Sequence, residues 1–401
     1  MRVCIVYDCL FPWTVGGAER WYRALSERLA ADGHRVTYLT LQQWEARESP
    51  RIPNVRVVAV GPRLALYAKG RRRLLPPLVF GAGVFRHLAR HGRDYDIVHL
   101  ASFPYFSFLA AAALRPRGRY HVVVDWHEVW TRRYWQEYLG PVLGPCGWLV
   151  QRLCLRIPHR PCCFSRLTHG RLRAEGCRQE PVLLRLLPSV PEPTTPDPAV
   201  PVVVYAGRHI PEKRVPALIP ALALARRALP ELQAVIFGDG PDRPLVERLV
   251  VDAHLQDAVR LPGFVDRPVL EGVLRRALCL VVPSCREGYG LVVVEAAGWG
   301  VPSIVVRGRD NAVTELIEEG VNGFVAPSPA APDLATAIRR VHDDGWILRE
   351  STAAWFGRFR SECSPNVGGN ALASIYGDGA DRLGPGLAGL AFVLRLDDEV
   401  D

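Results

Sequence analysis

The chain is almost without lysine. Of its 50 basic residues only Lys69 and Lys213 are lysines, and the other 48 (50 minus these two) are arginines. Methionine is as scarce, with Met1 the sole example. An arginine-for-lysine, methionine-poor composition reads as GC-rich coding, so neither an arginine cluster nor the formal net charge of +9 argues for a polyanion partner. No nucleic acid partner is expected. The ten cysteines contain no C-x-x-C pair and no zinc-type spacing, so a metal site is not expected and most read as small buried hydrophobes in a reducing cytoplasm. Long apolar runs are missing too. A membrane span needs about 18–20 unbroken apolar residues, and the nearest stretch, Leu100–Leu114, contains Pro104 and is followed by arginines. The first apolar run meets Asp8 far short of a signal-peptide core. These absences lead to an expectation of a cytoplasmic chain, with peripheral contact at the inner membrane face left open.

What is present is globular. The 401 residues are 49% hydrophobic and 23% charged, and domains usually run to about 100–200 residues. Arg2–Tyr7 is a short apolar run of the kind buried on both faces of a parallel sheet. A loop with Pro12 and Gly16-Gly17 follows, then helical spacing through Ala18, Trp21, Tyr22, Leu25 and Leu29, then an alternating strand over His34–Thr40. Further strands are predicted at Val55–Val60, Asp96–Leu100 and His121–Asp125. Prolines then punctuate 188–200 as an extended linker. Strands Val202–Ala206, Gln233–Phe237, Val259–Leu261, Cys279–Val282 and Ser303–Val306 follow, separated by helices near Arg214–Ala228, Arg243–Ala253, Pro268–Ala277 and Tyr289–Trp299. The fold class is therefore α/β, with two doubly wound Rossmann-like domains facing across a cleft, 1–187 and 201–345. Helices over 346–376 are expected to pack back on the N-terminal domain, and 377–401 has no structural reading.

Four constellations carry chemistry. The first is Pro283-Ser-Cys-Arg-Glu287-Gly288-Tyr289-Gly290-Leu291, running on to Glu295. It spans the end of a strand, a glycine-containing loop and a helix, with Glu295 placed roughly two turns in. Helix amides suit a diphosphate, and carboxylates suit sugar and ribose hydroxyls. The plain alternative is a helix-start Glu and a solvated Glu. The second is Gly207-Arg208-His-Ile-Pro-Glu-Lys213. Arg208 and Lys213 suit a pyrophosphate, as a fork and a point charge, or are two solvated cations. Lysine scarcity favours the former, because a lysine that survives such a bias in a strand-to-helix loop points to a need for it. The third is the glycine turns. Gly16-Gly17 does not form G-x-G-x-x-G but allows close backbone approach, and Gly238-Asp-Gly240-Pro241 is a turn or a cleft wall. The fourth is His127 in Asp125-Trp-His-Glu128, suited to a sugar hydrogen bond or a proton shuttle, or simply structural. Asp94-Tyr-Asp96 matches D-x-D but precedes a strand instead of following one, and is set aside.

Together these motifs resemble glycosyltransferase family 4, retaining enzymes of the GT-B fold. Glu287 and Glu295 match its E-x7-E element, and Gly207, Arg208 and Lys213 its G-R-x4-K element. Gly16-Gly-Ala-Glu19, Val301-Pro302 and Thr314–Phe324 also match, so the resemblance covers about residues 1–345. It implies that Arg208 and Lys213 bind the donor diphosphate and that Glu295 accepts from the ribose. Glu287 would meet the sugar hydroxyls, and His127 the sugar from the N-terminal side. Gly16, Gly17, Gly240, Gly288, Tyr289, Gly290 and Leu291 would complete the donor site. Catalysis is then expected from Glu287, His127, Lys213 and Arg208, with no cofactor, the nucleotide-diphosphate sugar being a substrate. The acceptor is a glycan, a lipid-linked molecule or a small molecule. Two departures stand out: His127-Glu128 replaces the usual His-Asp, and Arg309-Asp310-Asn311-Ala312 replaces Gly-Gly-x-Pro-Glu. The alternatives on the same fold are a sugar-nucleotide epimerase, a glycan phosphorylase or a non-catalytic binder. Arg63–Leu75, with Lys69 and three arginines, is either a membrane-facing segment or a solvated loop.

Overall fold

The computed structural model describes residues 1–45, 50–68, 71–187, 195–363 and 376. The chain divides into two compact units, one built on Met1–Leu186 and the other on Leu187–Glu362, with Cys363 and Tyr376 grouped with the first.

The first unit contains β1 (Arg2–Val6), β2 (Arg35–Leu41), β3 (Val55–Gly61), a two-residue hairpin of β4 (Tyr67–Ala68) and β5 (Arg71–Arg72), then β6 (Ile97–Ala101), β7 (His121–Trp126), β8 (Arg160–Cys163) and β9 (Val182–Leu183). Its helices are α1 (Gly17–Ala31), α2 (Leu75–His91), α3 (Tyr105–Gly118), α4 (Arg132–Arg156) and α5 (Arg166–Ala174). Seven strands form a parallel sheet in the order β3-β2-β1-β6-β7-β8-β9. The order reverses between β1 and β6, where Ile5 pairs with Tyr38 on one side and His99 on the other. The apolar runs behave as runs buried on both faces should: Val3 to Val6 and Ile97 to Ala101 are all buried. In β2 the alternation expected from sequence gives way to continuous burial over Tyr38–Leu41.

The second unit continues with β10 (Val202–Ala206), β11 (Gln233–Phe237), β12 (Val259–Gly263), β13 (Cys279–Val282), β14 (Arg286–Glu287), β15 (Ser303–Val306), β16 (Asp310–Asn311) and β17 (Gly323–Ala326). Its helices are α6 (Leu218–Ala225), α7 (Arg243–Asp252), α8 (Arg267–Leu274), α9 (Leu291–Gly298) and α10 (Ala331–Glu362). Six strands lie parallel in the order β12-β11-β10-β13-β15-β17, while β14 and β16 pair separately. The reversal falls between β10 and β13. Leu218, Leu222, Ile236, Val281, Ile304, Phe324 and Ile338 form the centre of its core.

Several expectations shift. The strands Arg160–Cys163, Val182–Leu183 and Gly323–Ala326 lie where no strand was read, because proline, brevity and a leading glycine mask their pattern. The helix expected from Arg214 starts at Leu218, since Arg214 takes a left-handed φ of 50° that interrupts helical winding. In the expected linker, 188–194 lie outside the described residues, and Val200 is already tied down by its N–H to Arg276 O at 2.8 Å. The segment 346–376 was expected against the N-terminal domain. Instead α10 runs on past a break at Gly345, and up to Glu362 it belongs to the second unit. Buried Arg349 fixes it there, donating to Ala277 O at 2.6 Å and Arg275 O at 2.7 Å. Only afterwards do Cys363 and Tyr376 group with the first unit. The tail 377–401 lies outside the described residues.

One buried histidine gives the first unit a pH signature. The Trp126 indole donates to His159 Nε2 at 3.1 Å, and His159 Nδ1 lies 2.6 Å from Ile157 O, which requires the neutral, Nδ1-protonated ring. Burial pushes its pKa down to about 4. Below the ordinary histidine pKa of about 6.5 the unfolded chain binds a proton that the folded chain refuses. Stability therefore falls as pH drops from about 6.5 towards 4, by an amount on the order of 1–3 kcal/mol. Thermal melts at neutral and mildly acidic pH check this. His159→Gln should flatten the pH dependence, and an unchanged slope would remove His159 as its cause.

Candidate active site

In doubly wound sheets ligands bind beyond the carboxyl ends of strands where the order reverses. In the second unit those ends belong to the neighbouring strands β10 and β13, paired Val203 to Cys279 and Val204 to Leu280. The chain leaves β10 through Gly207 and Arg208 into a short turn, Pro211–Lys213. It leaves β13 through Pro283, Ser284 and Cys285 into β14 and then α9. The two motifs, 74 positions apart, meet here. Lys213 Nζ donates to Glu287 Oε1 at 2.6 Å, and Ser284 Oγ donates to the same oxygen at 2.8 Å. The Cys285 N–H donates to Glu212 O at 2.9 Å, joining the loops through the backbone as well. The side chains of Lys213 and Glu287 keep only 22% and 13% of their exposure. At that burial a charge-assisted bond is worth on the order of 1.5–3 kcal/mol.

A second layer supports the carboxylate. Glu287 pairs with Asn311 in the short β14–β16 ladder. The buried Asn311 amide donates to Ser284 O at 2.9 Å and to Val306 O at 2.7 Å. Arg286 and Asp310 form an ion pair at 3.1 Å beside it. The unusual Asp310-Asn311 segment thus holds the backbone that carries Ser284 and Glu287.

The other residues of the second unit fall around this pair. Arg208 is exposed at the head of the loop, and its carbonyl accepts from the Tyr205 hydroxyl at 3.0 Å. Gly240 has a local reason for being glycine: its φ is 153°, and a Cβ would run into the His209 carbonyl. His209 N–H donates to Asp239 O at 2.8 Å and Asp242 N–H to His209 O at 3.0 Å, so this turn braces the Arg208–Lys213 loop from behind. Gly288 and Tyr289 are half-buried, Gly290 caps α9 at a φ of 105°, and Leu291 is its first residue. Glu295, half-buried, sits just past the first turn of α9 instead of two turns in, because the helix starts two residues later than expected.

In the first unit, Gly16 is the extended cap of α1 and Gly17 its first residue. The space a Gly16 side chain would need is occupied by the end of the flexible Glu19 side chain. His127 follows β7, stacked on Phe164 at 4.9 Å and edge-on to Tyr22 at 5.9 Å. Burial pushes its pKa down, Asp125 opposes this and His99 adds to it, so the ring is held neutral. Among the described residues its Nε2 has no hydrogen-bond partner. Behind it lies a polar group that sequence reading missed. Buried Asp125 accepts from the Trp21 indole at 2.7 Å, lies 3.0 Å from His99 Nε2, and His99 Nδ1 is 2.9 Å from the Tyr376 hydroxyl. Burial works to raise the Asp125 pKa, yet His99, His127 and the indole hold it below the usual carboxylate range. The available signal was a histidine and an aspartate inside otherwise apolar strands. Ser284 and Asn311 left no such signal.

Three sequence features resolve otherwise. Glu128 accepts from the Trp130 indole at 2.8 Å. Asp96 accepts from the Arg2 N–H at 2.8 Å and its guanidinium at 2.7 Å, which occupies the D-x-D carboxylate. Within Arg63–Leu75, Lys69 lies outside the described residues, Leu66 is buried, and Arg72 turns inward to pair with fully buried Asp8 and stack over Phe103. Of its described arginines, Arg72 therefore faces inward, while Arg63 and Arg73 are exposed.

Residues 15–184 match the model of Glycosyltransferase Family 4, and residues 191–354 match that of Glycosyl transferases group 1. The chain belongs to glycosyltransferase family 4. It is 35% identical over 177 residues to an alpha-D-kanosaminyltransferase of Streptomyces kanamyceticus, covering 44% of this chain and 45% of that one. It is 31% identical over 183 residues to a D-inositol 3-phosphate glycosyltransferase of Pseudarthrobacter chlorophenolicus, covering 45% and 42%. The chain thus spans less than half the length of these curated relatives. Among solved structures, a sucrose-phosphate synthase from Thermosynechococcus elongatus superposes with a TM-score of 0.74 at 19% identity, covering 95% of this chain and 98% of that one. Anabaena HepE, solved with UDP and glucose, gives 0.67 at 18%, covering 96% and 100%. These likenesses show the fold, which is α/β of GT-B type with two Rossmann-like sheets. No described helix of this family 4 member is long and apolar enough to cross a membrane.

The brace behind the Arg208–Lys213 loop is testable apart from chemistry. Gly240→Ala should lower stability by about 1–3 kcal/mol through backbone strain, read as a reduced melting temperature. A melt identical to wild type would mean the turn does not need glycine.

Proposed function

We propose that this chain is a retaining glycosyltransferase that moves a hexose-type sugar from a UDP- or GDP-sugar to an acceptor hydroxyl without a metal, in cell-surface glycan, glycolipid or natural-product biosynthesis. The observation that carries the reading is the Lys213–Glu287 bond at the reversal point of the second sheet, with Ser284 on the same carboxylate oxygen. Breaking a sugar–phosphate bond builds negative charge on the leaving diphosphate and positive charge at the anomeric carbon. Lys213 and Arg208 offer cations for the former, and the first amides of α9 beyond Gly290 add dipole and hydrogen bonds. Glu287 serves the sugar hydroxyls and Glu295 the ribose. A neutral His127 whose buried Nε2 is unpaired among the described residues is suited to accept from or donate to a sugar hydroxyl, and the Gly16-Gly17 backbone to a phosphate.

Lys213 has one partner before the donor arrives and a second afterwards. Its bond to Glu287 holds both side chains in place, so little ordering is left for binding. A diphosphate competing for the ammonium frees a carboxylate oxygen for the sugar. Donor binding and sugar recognition are thereby coupled through one lysine.

Lys213→Ala should lower kcat/KM by about 10²–10³-fold with the fold intact, the range for loss of one charge-stabilising donor. Normal turnover by that variant would refute the site assignment. Glu287→Gln should reduce kcat more than nucleotide affinity. With the native enzyme, the product's anomeric configuration read by NMR should match the donor's, and turnover should survive a chelator. An inverted product would overturn retention, and loss of activity with chelator would overturn metal independence.

A further inference from the structure

Helix α2 is apolar on two faces, and among the described residues only one of them is packed. Phe80, Gly81, Val84 and Leu88 are buried within the first unit. A second stripe follows Leu75, Leu78, Ala82, Phe85 and Ala89, a spacing of three and four that places all five on one side of the helix. Every one of them is exposed, Leu75, Leu78 and Phe85 at 54%, 47% and 47%. Leu74, just before the helix, is 59% exposed, and Phe106 on α3 extends the same kind of surface at 39%. The small side chains of Ala82 and Ala89 leave a depression of about 560 Å³ lined by Ala82, Phe85, Arg86, Ala89 and Arg90. The helix carries no Asp or Glu, while Arg86, Arg90 and His91 are exposed along it, with Arg73 ahead of its first turn.

We infer that this face of α2 is a peripheral membrane contact, seated on an anionic phospholipid surface. The charge pattern selects that occupant. Two copies of this face would set arginines against arginines, which opposes self-association, whereas anionic headgroups complement them. A 17-residue helix with leucine and phenylalanine on one side and arginine beside them can lie in the headgroup region without spanning it. The inference differs from the segment singled out in the sequence, because Arg72 is spent on Asp8 and the open surface begins at Arg73. It goes beyond the glycosyltransferase reading and does not depend on it.

Co-sedimentation of the full chain with vesicles tests it. One set is pure phosphatidylcholine; the other contains about 30 mol% phosphatidylglycerol. The chain should sediment with the anionic vesicles, weakly or not at all with the neutral ones, and less as salt rises. Leu78→Glu with Phe85→Glu should weaken binding by about tenfold or more, since both the apolar and the charge contribution are lost. Arg86→Glu with Arg90→Glu should do the same and weaken the salt dependence. These side chains are exposed, so melting temperature and nucleotide binding should not change. Absence of binding to anionic vesicles, or equal binding by the variants, overturns the inference. So does a concentration-dependent dimer of the native chain that the same substitutions abolish. Intact UDP or GDP binding beside any of those results separates this failure from failure of the proposed activity.

Discussion

The bond between Lys213 and Glu287 is the constraint on which the rest of the second unit's site depends. Two loops leave neighbouring parallel strands at the point where sheet order reverses, and nothing in the sheet itself forces their tips together. The ion pair, the Ser284 hydroxyl and the backbone bond from Cys285 to Glu212 do so. Around them, the Asn311 amide holds the Ser284 loop from below and the Gly240 turn holds the Arg208–Lys213 loop from behind. A charged pair with this little exposure costs desolvation that its own attraction and the Ser284 hydrogen bond must offset. That cost is consistent with retention of a lysine in a chain that uses arginine almost everywhere else. An arginine there would present a flat fork where a compact charge fits against one carboxylate oxygen.

Much of this was legible before any coordinates. Ten of the parallel strands announce themselves as short apolar runs, and the alternation of strand and helix is enough to yield two doubly wound sheets. What sequence reading lost follows from physics. Pro161 disguises β8, and β9 is only two residues long. The helix after Lys213 starts late because Arg214 adopts a left-handed conformation that propensity does not foresee. The longest helix was divided at Gly345, where the chain does break its geometry yet continues along the same unit. In the site, Lys213, Arg208, Glu287 and Glu295 were readable as motif members. Ser284 and Asn311 were not, because their importance comes from what they touch across 27 residues of sequence.

The first unit shows a different style of polar burial. Asp125, His99, Trp21 and Tyr376 lie within bonding distance of one another behind His127, whose neutral imidazole keeps a buried Nε2 without a partner among the described residues. Burying a carboxylate in a parallel strand is tolerated only because donors converge on it. The same unit places leucine, phenylalanine and arginine outward on α2, where burial would have been the cheaper arrangement for the apolar groups. Interior polarity and exterior apolarity both depart from the simple folding pattern, and such departures concentrate at sites of function.

The central claim is that Lys213 exchanges a carboxylate for a donor diphosphate. Calorimetric titration of UDP and GDP into the native chain, Lys213→Ala and Glu287→Gln tests it most directly. Lys213→Ala should weaken binding of the preferred nucleotide by at least about tenfold, as expected for a lost charge-assisted bond. Glu287→Gln should leave that affinity unchanged or raise it, because the competing anion is gone. Equal weakening by both variants would mean that Glu287 itself binds the nucleotide, and the exchange would be wrong.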